Sequence, residues 1–177
     1  HYNFSLNEKF WPSFQHALND LRPANEFKTE QYFSLIRNFR RRVPLLVYLF
    51  GASPATCRSF LQGQKHQLTP FDDHSWHGEF ATSLRMSDLG YQSSAQNALF
   101  ICYNHLDNYV SSLRQAITQP HDEYVDIGLQ DAQGNYQQLN TSLLQIENEF
   151  YSVIRPKRIA ASGEAPINAL KRSGIEY

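Results

Sequence analysis

Three groups of residues in this chain have types and spacings suited to chemistry. The first is the run His1-Tyr2-Asn3-Phe4-Ser5. Alternation puts His1, Asn3 and Ser5 on one face of a strand, where a histidine and an asparagine suit a metal ion and a polar substrate. The plainer reading is a half-buried strand with its polar face in water. The second group centres on Arg85, set among Ser83, Ser87 and Asp88 and followed by Gly90 and Tyr91. A guanidinium near a turn can grip a carboxylate with two parallel hydrogen bonds; a surface pair of Arg85 with Asp88 is the alternative. The third holds Glu147, Glu149 and Tyr151, then Arg155, Pro156, Lys157 and Arg158. Basic residues this dense, stiffened by proline, suit phosphate. The two glutamates would share a strand face, a costly arrangement unless a cation answers them. An exposed charged strand is the plainer alternative.

Two other runs have the right residue types but no evident scaffold. Asp72-Asp73-His74 with His77 contains metal-ligand types but reads as a solvated loop. Arg37, Arg40, Arg41 and Arg42 read as charges around a helix end, favourable to its C-terminal dipole. No phosphate-binding glycine loop, nucleophile elbow or zinc-type Cys/His spacing occurs.

The whole chain must position these groups. Its 177 residues suit one core, and 41% hydrophobic with 19% charged residues reads as globular. Aromatics are abundant, 12 Phe, 10 Tyr and 2 Trp, so much area can be buried per residue while tyrosine hydroxyls remain for ligands. A net charge of −1 provides no overall basic field, so neither nucleic acid nor an anionic membrane is an expected partner. Two cysteines, Cys57 and Cys102, sit in apolar stretches and form no disulfide framework, which favours a reducing, cytoplasmic setting. The longest apolar run, 45–50, is far too short to span a bilayer, and no targeting signal is read at the start.

The pattern predicts mixed elements. A strand at 1–5 leads to a helix around 8–20, started or kinked by Pro12, then a loop at 21–25. Thr29 opens a helix on the spacing of Phe33, Ile36 and Phe39, and Pro44 breaks or kinks it. Residues 45–50 continue as a buried apolar segment ended by Gly51, and Ser53-Pro54 caps a short helix through Cys57 and Phe60. Residues 63–80 read as irregular and 81–85 as extended. Ser94 caps a long helix from Ala95 to about Gln119, with Leu99, Cys102, Leu106, Tyr109, Leu113 and Ile117 on one face. A hairpin turn falls at 131–135, an extended run at 144–158, and a short helix at 164–172 before Gly174. This is an α+β pattern without a βαβ repeat. Both ends look cut through sheet.

Seven strings carry a resemblance: HYNFS at 1–5, YLFGASPA at 48–55, FLQG at 60–63, ATSLRMSDLGY at 81–91, LQIENEFY at 144–151, IRPKR at 154–158, and SGEAP with GIEY within 162–177. In this order they resemble the middle of the proteobacterial-type glutamate–cysteine ligases, while 6–28 and 64–80 match poorly. The resemblance implies a glutamine-synthetase-like carboxylate–amine ligase fold, an antiparallel sheet lining the active site with helices outside. It implies that 1–177 is the central part of one catalytic domain, truncated at both ends. The implied reaction joins the γ-carboxylate of glutamate to the amine of cysteine through a γ-glutamyl phosphate, the first step of glutathione biosynthesis, using ATP and Mg2+ or Mn2+. By the same resemblance His1 is a metal ligand and Arg85 holds a substrate carboxylate. Tyr91 and Tyr151 line the cysteine pocket, and Arg155, Lys157 and Arg158 lie near phosphate. Asn3 and Ser5 are neighbours on strand-face grounds only. The family's remaining metal ligands match nothing within 1–177, so the chain holds about half of a site and is expected to be inactive alone. The alternatives are a γ-glutamyl ligase of the same fold with another amine acceptor, the ligase half of a bifunctional protein, and a non-enzymatic helical binding module.

Overall fold

The computed structural model describes residues 5–51, 53–61, 64–84, 87, 89–90, 94–145 and 150–156. The strand expected at 1–5, except for Ser5, and the helix at 164–172 lie outside them.

Helix α1 (Phe10–Ala17) is shorter than the expected 8–20. Pro12 falls in its first turn, where a backbone N–H has no helical acceptor, so the proline starts the helix without kinking it. Helix α2 (Ala24–Phe50) begins five residues before Thr29, directly after Pro23, and runs 27 residues through Pro44. Pro44 removes one ladder donor without stopping the helix, whose apolar last turns resume on its far side. The two helices meet through rings: Trp11 lies 6.4 Å from Phe27 and 4.9 Å from Tyr32, and Phe14 lies 5.7 Å from Phe27. Phe27 is fully buried there.

The main core joins Phe33 and Ile36 of α2 to Tyr109, Leu113 and Ala116 of α3 (Leu106–Ala116), with Ile101, Tyr103, Leu144 and Phe150 closing it. The single long helix expected over 95–119 is therefore two elements. A 3-10 turn, Ser94–Ala98, comes first, and α3 starts only at Leu106. Between them the backbone finds partners in tertiary structure instead of a helical ladder. Arg37 donates to the carbonyls of Tyr103 and Asn104, and the Cys102 N–H donates to Ser112 Oγ at 3.2 Å. A short α4 (Asp122–Ile127) follows, and the chain then returns with the Leu144 N–H donating to the Ala116 carbonyl at 3.1 Å.

A small antiparallel sheet replaces the helix expected after Pro54 and the irregular run expected at 63–80. Strands β1 (Ala55–Cys57), β2 (Thr69–Pro70) and β3 (Ser75–His77) stand in the order β1-β3-β2, with Thr56 opposite Trp76 and Thr69 opposite His77. Strands of two and three residues are too short to show an alternating pattern, and Pro70 is tolerated because β2 is an edge. Arg58–Leu61 is a 3-10 turn. Of the extended run expected at 81–85, only Ser83 pairs, with Ser53 in a single parallel bridge, and Leu84 already enters a 3-10 turn.

The turn at 131–135 forms as expected. Asp131 receives the Gln133 and Asn135 N–H groups, Gly134 sits at φ +83°, and Gln130 bridges to Tyr136. The run 144–158 is not extended sheet where it is described, since 150–156 form neither strand nor helix. The largest correction concerns 45–50. Leu45, Tyr48, Leu49 and Phe50 are exposed, at 57%, 77%, 57% and 74%, so this apolar end of α2 has no cover among the described residues. The α+β class holds.

Candidate functional site

Of the candidate residues, Tyr151 and Arg155 are described; His1, Asn3, Arg85, Tyr91, Lys157 and Arg158, together with Glu147 and Glu149, lie outside the described residues. The structure brings Tyr151 and Arg155 together. The Arg155 guanidinium lies 5.1 Å from the centre of the Tyr151 ring and donates to the Phe150 carbonyl. The Tyr151 N–H donates to Gln96 Oε1 at 3.2 Å. Next along the chain, Ser152 Oγ accepts from Arg40 Nη1 at 3.0 Å, and the Arg40 guanidinium sits 4.6 Å from the centre of the Tyr103 ring.

These contacts border an open cleft of about 360 Å³ between α2, the 3-10 turn at Ser94–Ala98 and residues 150–153. Arg40, Gln96, Tyr103, Tyr151 and Ser152 supply its polar lining, and Val43, Pro44, Leu99 and Ile101 part of its apolar one. Burial pushes the Tyr103 phenol above its ordinary value, against the opposing pull of the nearby Ser152 hydroxyl and the charges of Arg40 and Arg155. Tyr109, 5.3 Å behind it, is pushed up further, again by burial. Both phenols are therefore neutral at neutral pH and act as packing groups of the core. The described wall offers guanidinium, amide and hydroxyl, a set that binds an anionic or amphipathic small molecule.

Composition did not single out Arg40, Gln96 or Tyr103. Arg40 was visible only as part of a basic run, and that run was expected at a helix end. In the structure Arg37–Arg42 lie mid-helix, because α2 continues to Phe50, so the charges do not answer a C-terminal dipole. They answer particular acceptors: Arg37 the 103–104 carbonyls, Arg40 Ser152, and Arg41 the Asn38 side chain at 3.4 Å. The Asp72–His77 run forms the turn and β3 of the β2–β3 hairpin, in which Asp72 accepts the His74 N–H at 2.8 Å and His77 Nε2 lies 3.0 Å from Thr69 Oγ1. Cys57 is exposed, not in an apolar setting, Cys102 is half-buried, and both are free thiols. Among the described residues no three metal-ligating side chains come together, and no helix is long and apolar enough to cross a membrane.

The comparison with known proteins bears out the resemblance. The chain belongs to the glutamate–cysteine ligase family, whose family model matches residues 1–177. A glutamate–cysteine ligase from Saccharophagus degradans is 57% identical over 178 residues, covering all of this chain, and one from Hahella chejuensis is 58% identical over 177. The chain spans about a third, 34%, of the length of each. The crystal structure of a glutamate–cysteine ligase from Francisella tularensis in complex with AMP superposes with a TM-score of 0.67 at 41% identity, over 96% of this chain and 32% of that one.

Proposed function

We propose that this chain is part of the catalytic domain of an ATP-dependent ligase that joins the γ-carboxylate of glutamate to the amine of cysteine, opening glutathione biosynthesis. The observation that carries the reading is identity of 57–58% to glutamate–cysteine ligases along the whole chain. The AMP held by the Francisella tularensis relative supports an adenine nucleotide as co-substrate. In this reading the α+β class narrows to the carboxylate–amine ligase fold, and the two free thiols suit the reducing cytoplasm.

The chemistry explains the residue types. A carboxylate is a poor electrophile, and phosphorylation converts one of its oxygens into a leaving group that the cysteine amine can displace. Cationic side chains stabilise the charge that builds on the transferring phosphoryl group and the acyl carbon. Arg85 holds a substrate carboxylate, Tyr91 and Tyr151 wall the cysteine pocket, and Lys157 and Arg158 of the basic run lie toward phosphate. Magnesium, or manganese in its place, belongs to the same reading with His1 as one ligand and Asn3 beside it. The described residues supply no ligand cluster for it.

The test is a full-length ligase carrying this sequence, given glutamate, cysteine, ATP and Mg2+, with γ-glutamylcysteine and ADP measured. Product that requires all three substrates is expected. Product with a different amine and none with cysteine would overturn the acceptor assignment, and no product with any amine would overturn the reading as a ligase.

A further inference from the structure

We propose that Arg155 and Gln96 are positioning residues that fix Tyr151 in the wall of its pocket, and that Arg155 acts through Tyr151 and not on the nucleotide. This rests on the reading of Tyr151 as part of the cysteine pocket.

Residues 150–156 lack both helical and strand ladders, so their path is set by side chains. Phe150, 8% exposed, anchors one end in the core, and Ile154 packs against the same core at the other. Tyr151, between these anchors, is held at two points. Gln96 accepts its N–H, which fixes the backbone. Gln96 is itself 9% exposed, so removing its amide would leave the Tyr151 N–H with a poorer route to water. Arg155 fixes the ring. One guanidinium nitrogen donates to the Phe150 carbonyl while the central carbon lies over the Tyr151 ring, 5.1 Å from its centre. A planar guanidinium can satisfy an edge acceptor and an aromatic face together; the compact ammonium of lysine keeps the charge but not both contacts. On the other side of Tyr151, Arg40 of α2 ties down Ser152. An arginine committed in this way to the residue beside it and to that residue's neighbour is placed to set where a tyrosine points.

The experiment is steady-state kinetics on the full-length ligase with Arg155→Ala, Arg155→Lys, Gln96→Ala and Tyr151→Ala, and with Arg155→Ala combined with Tyr151→Ala. Arg155→Ala is expected to raise KM for cysteine about tenfold with KM for ATP and kcat within about threefold, and Arg155→Lys to fall between it and wild type. Gln96→Ala should raise KM for cysteine about fivefold, which keeps the proposal testable if Arg155→Ala does not fold. In the Tyr151→Ala background, Arg155→Ala should add less than about twofold, since its target is gone. A larger rise in KM for ATP than for cysteine would place Arg155 on the phosphate, and a full effect persisting without Tyr151 would separate the two residues. Either result overturns the proposal. Should the enzyme use another amine, the acceptor assignment falls, but the same coupling read in that amine's KM still supports the positioning, and its absence overturns it.

Discussion

Gly51 ends α2 at a point where a side chain has no room, and Gly51→Ala tests that close approach. Its N–H donates to the Val47 carbonyl at 2.7 Å, and an added Cβ would lie 2.7 Å from the Thr82 carbonyl oxygen and closer still to that of Val47. Ordinary contact begins at 3.4 Å, so the Thr82 oxygen must retreat by about 0.7 Å, the difference between those two distances. Both obstacles are backbone, and neither can swing aside as a long side chain would. The Thr82 oxygen also accepts the Ser53 N–H at 3.3 Å, and the Leu84 N–H donates to the Ser53 carbonyl at 3.0 Å. Retreat therefore strains the bridge that sets the path into Arg85. Overpacking costs about 1–3 kcal/mol and a weakened backbone hydrogen bond about 0.5–1.5 kcal/mol, so about 2–4 kcal/mol is expected. Gly134→Ala is the matched control: φ there is +83° but nothing lies within 4 Å, so it carries only the left-handed backbone cost of about 1–2 kcal/mol. Urea midpoints of the two variants in the full-length ligase, with KM for each substrate alongside, make the assay. Gly51→Ala should lose more stability and also weaken substrate use; Gly134→Ala should lose less and keep wild-type kinetics. A Gly51→Ala enzyme as stable as the Gly134→Ala enzyme would refute the close approach.

Three further outcomes follow from the core and its charges. Leu144 is fully buried among Phe33, Tyr109 and Leu113, so Leu144→Ala should cost about 2–5 kcal/mol by urea unfolding, and a loss below about 1 kcal/mol would show that the site is not packed. Burial, with Tyr103 adding to it and Arg155 opposing it, raises the Tyr109 phenol above the unfolded value of about 10. A raised phenol leaves stability intact below that pH and removes it as pH climbs toward the folded value, because the unfolded chain ionises first. Tyr109→Phe should therefore flatten the alkaline fall in the urea midpoint, and an unchanged alkaline limb would count against the buried phenol. Asp20, Asp72 and Asp131 are lowered, mainly by the Arg22 side chain, the His74 N–H and the Asn135 side chain respectively. Lowered carboxylates stabilise above the unfolded value of about 3.9 and lose that stabilisation as pH falls through the folded values. Carbon-detected titration by NMR should find all three below ordinary aspartate, and ordinary values would show that the local hydrogen bonds are not held in solution.

Elements were legible where one local cause decided them. Gly51 and the Asp131–Gly134 turn each stop or bend the chain through their own geometry, and α3 showed its apolar spacing clearly. Legibility failed where distant groups decided. The helical period continues from Ala95 to Gln119, but the chain is non-helical between Ala98 and Leu106, where Arg37 takes the carbonyls of Tyr103 and Asn104. No local pattern announces an arginine 66 residues away. Residues 45–50 were read as buried because they are apolar, and apolarity reports that a surface needs cover without saying which part of a polypeptide supplies it. This chain spans about a third of the length of its relatives.

The site shows the same division between residue type and chain path. Tyr151 and Arg155 were both singled out, and they do sit together, but the sequence presented Arg155 as one of three cations in a run and so as a phosphate group's partner. Charge count cannot distinguish a guanidinium that faces solvent from one that turns back five residues to a carbonyl and four to a ring. That turn depends on Phe150 being seated in the core and on Gln96 and Arg40 reaching Tyr151 and Ser152 from two other elements. Each of those contacts needs the fold before it exists. The arginine's partner is therefore a property of the core that Phe150 enters, and moving Phe150 out of it should redirect Arg155 even with the basic run unchanged.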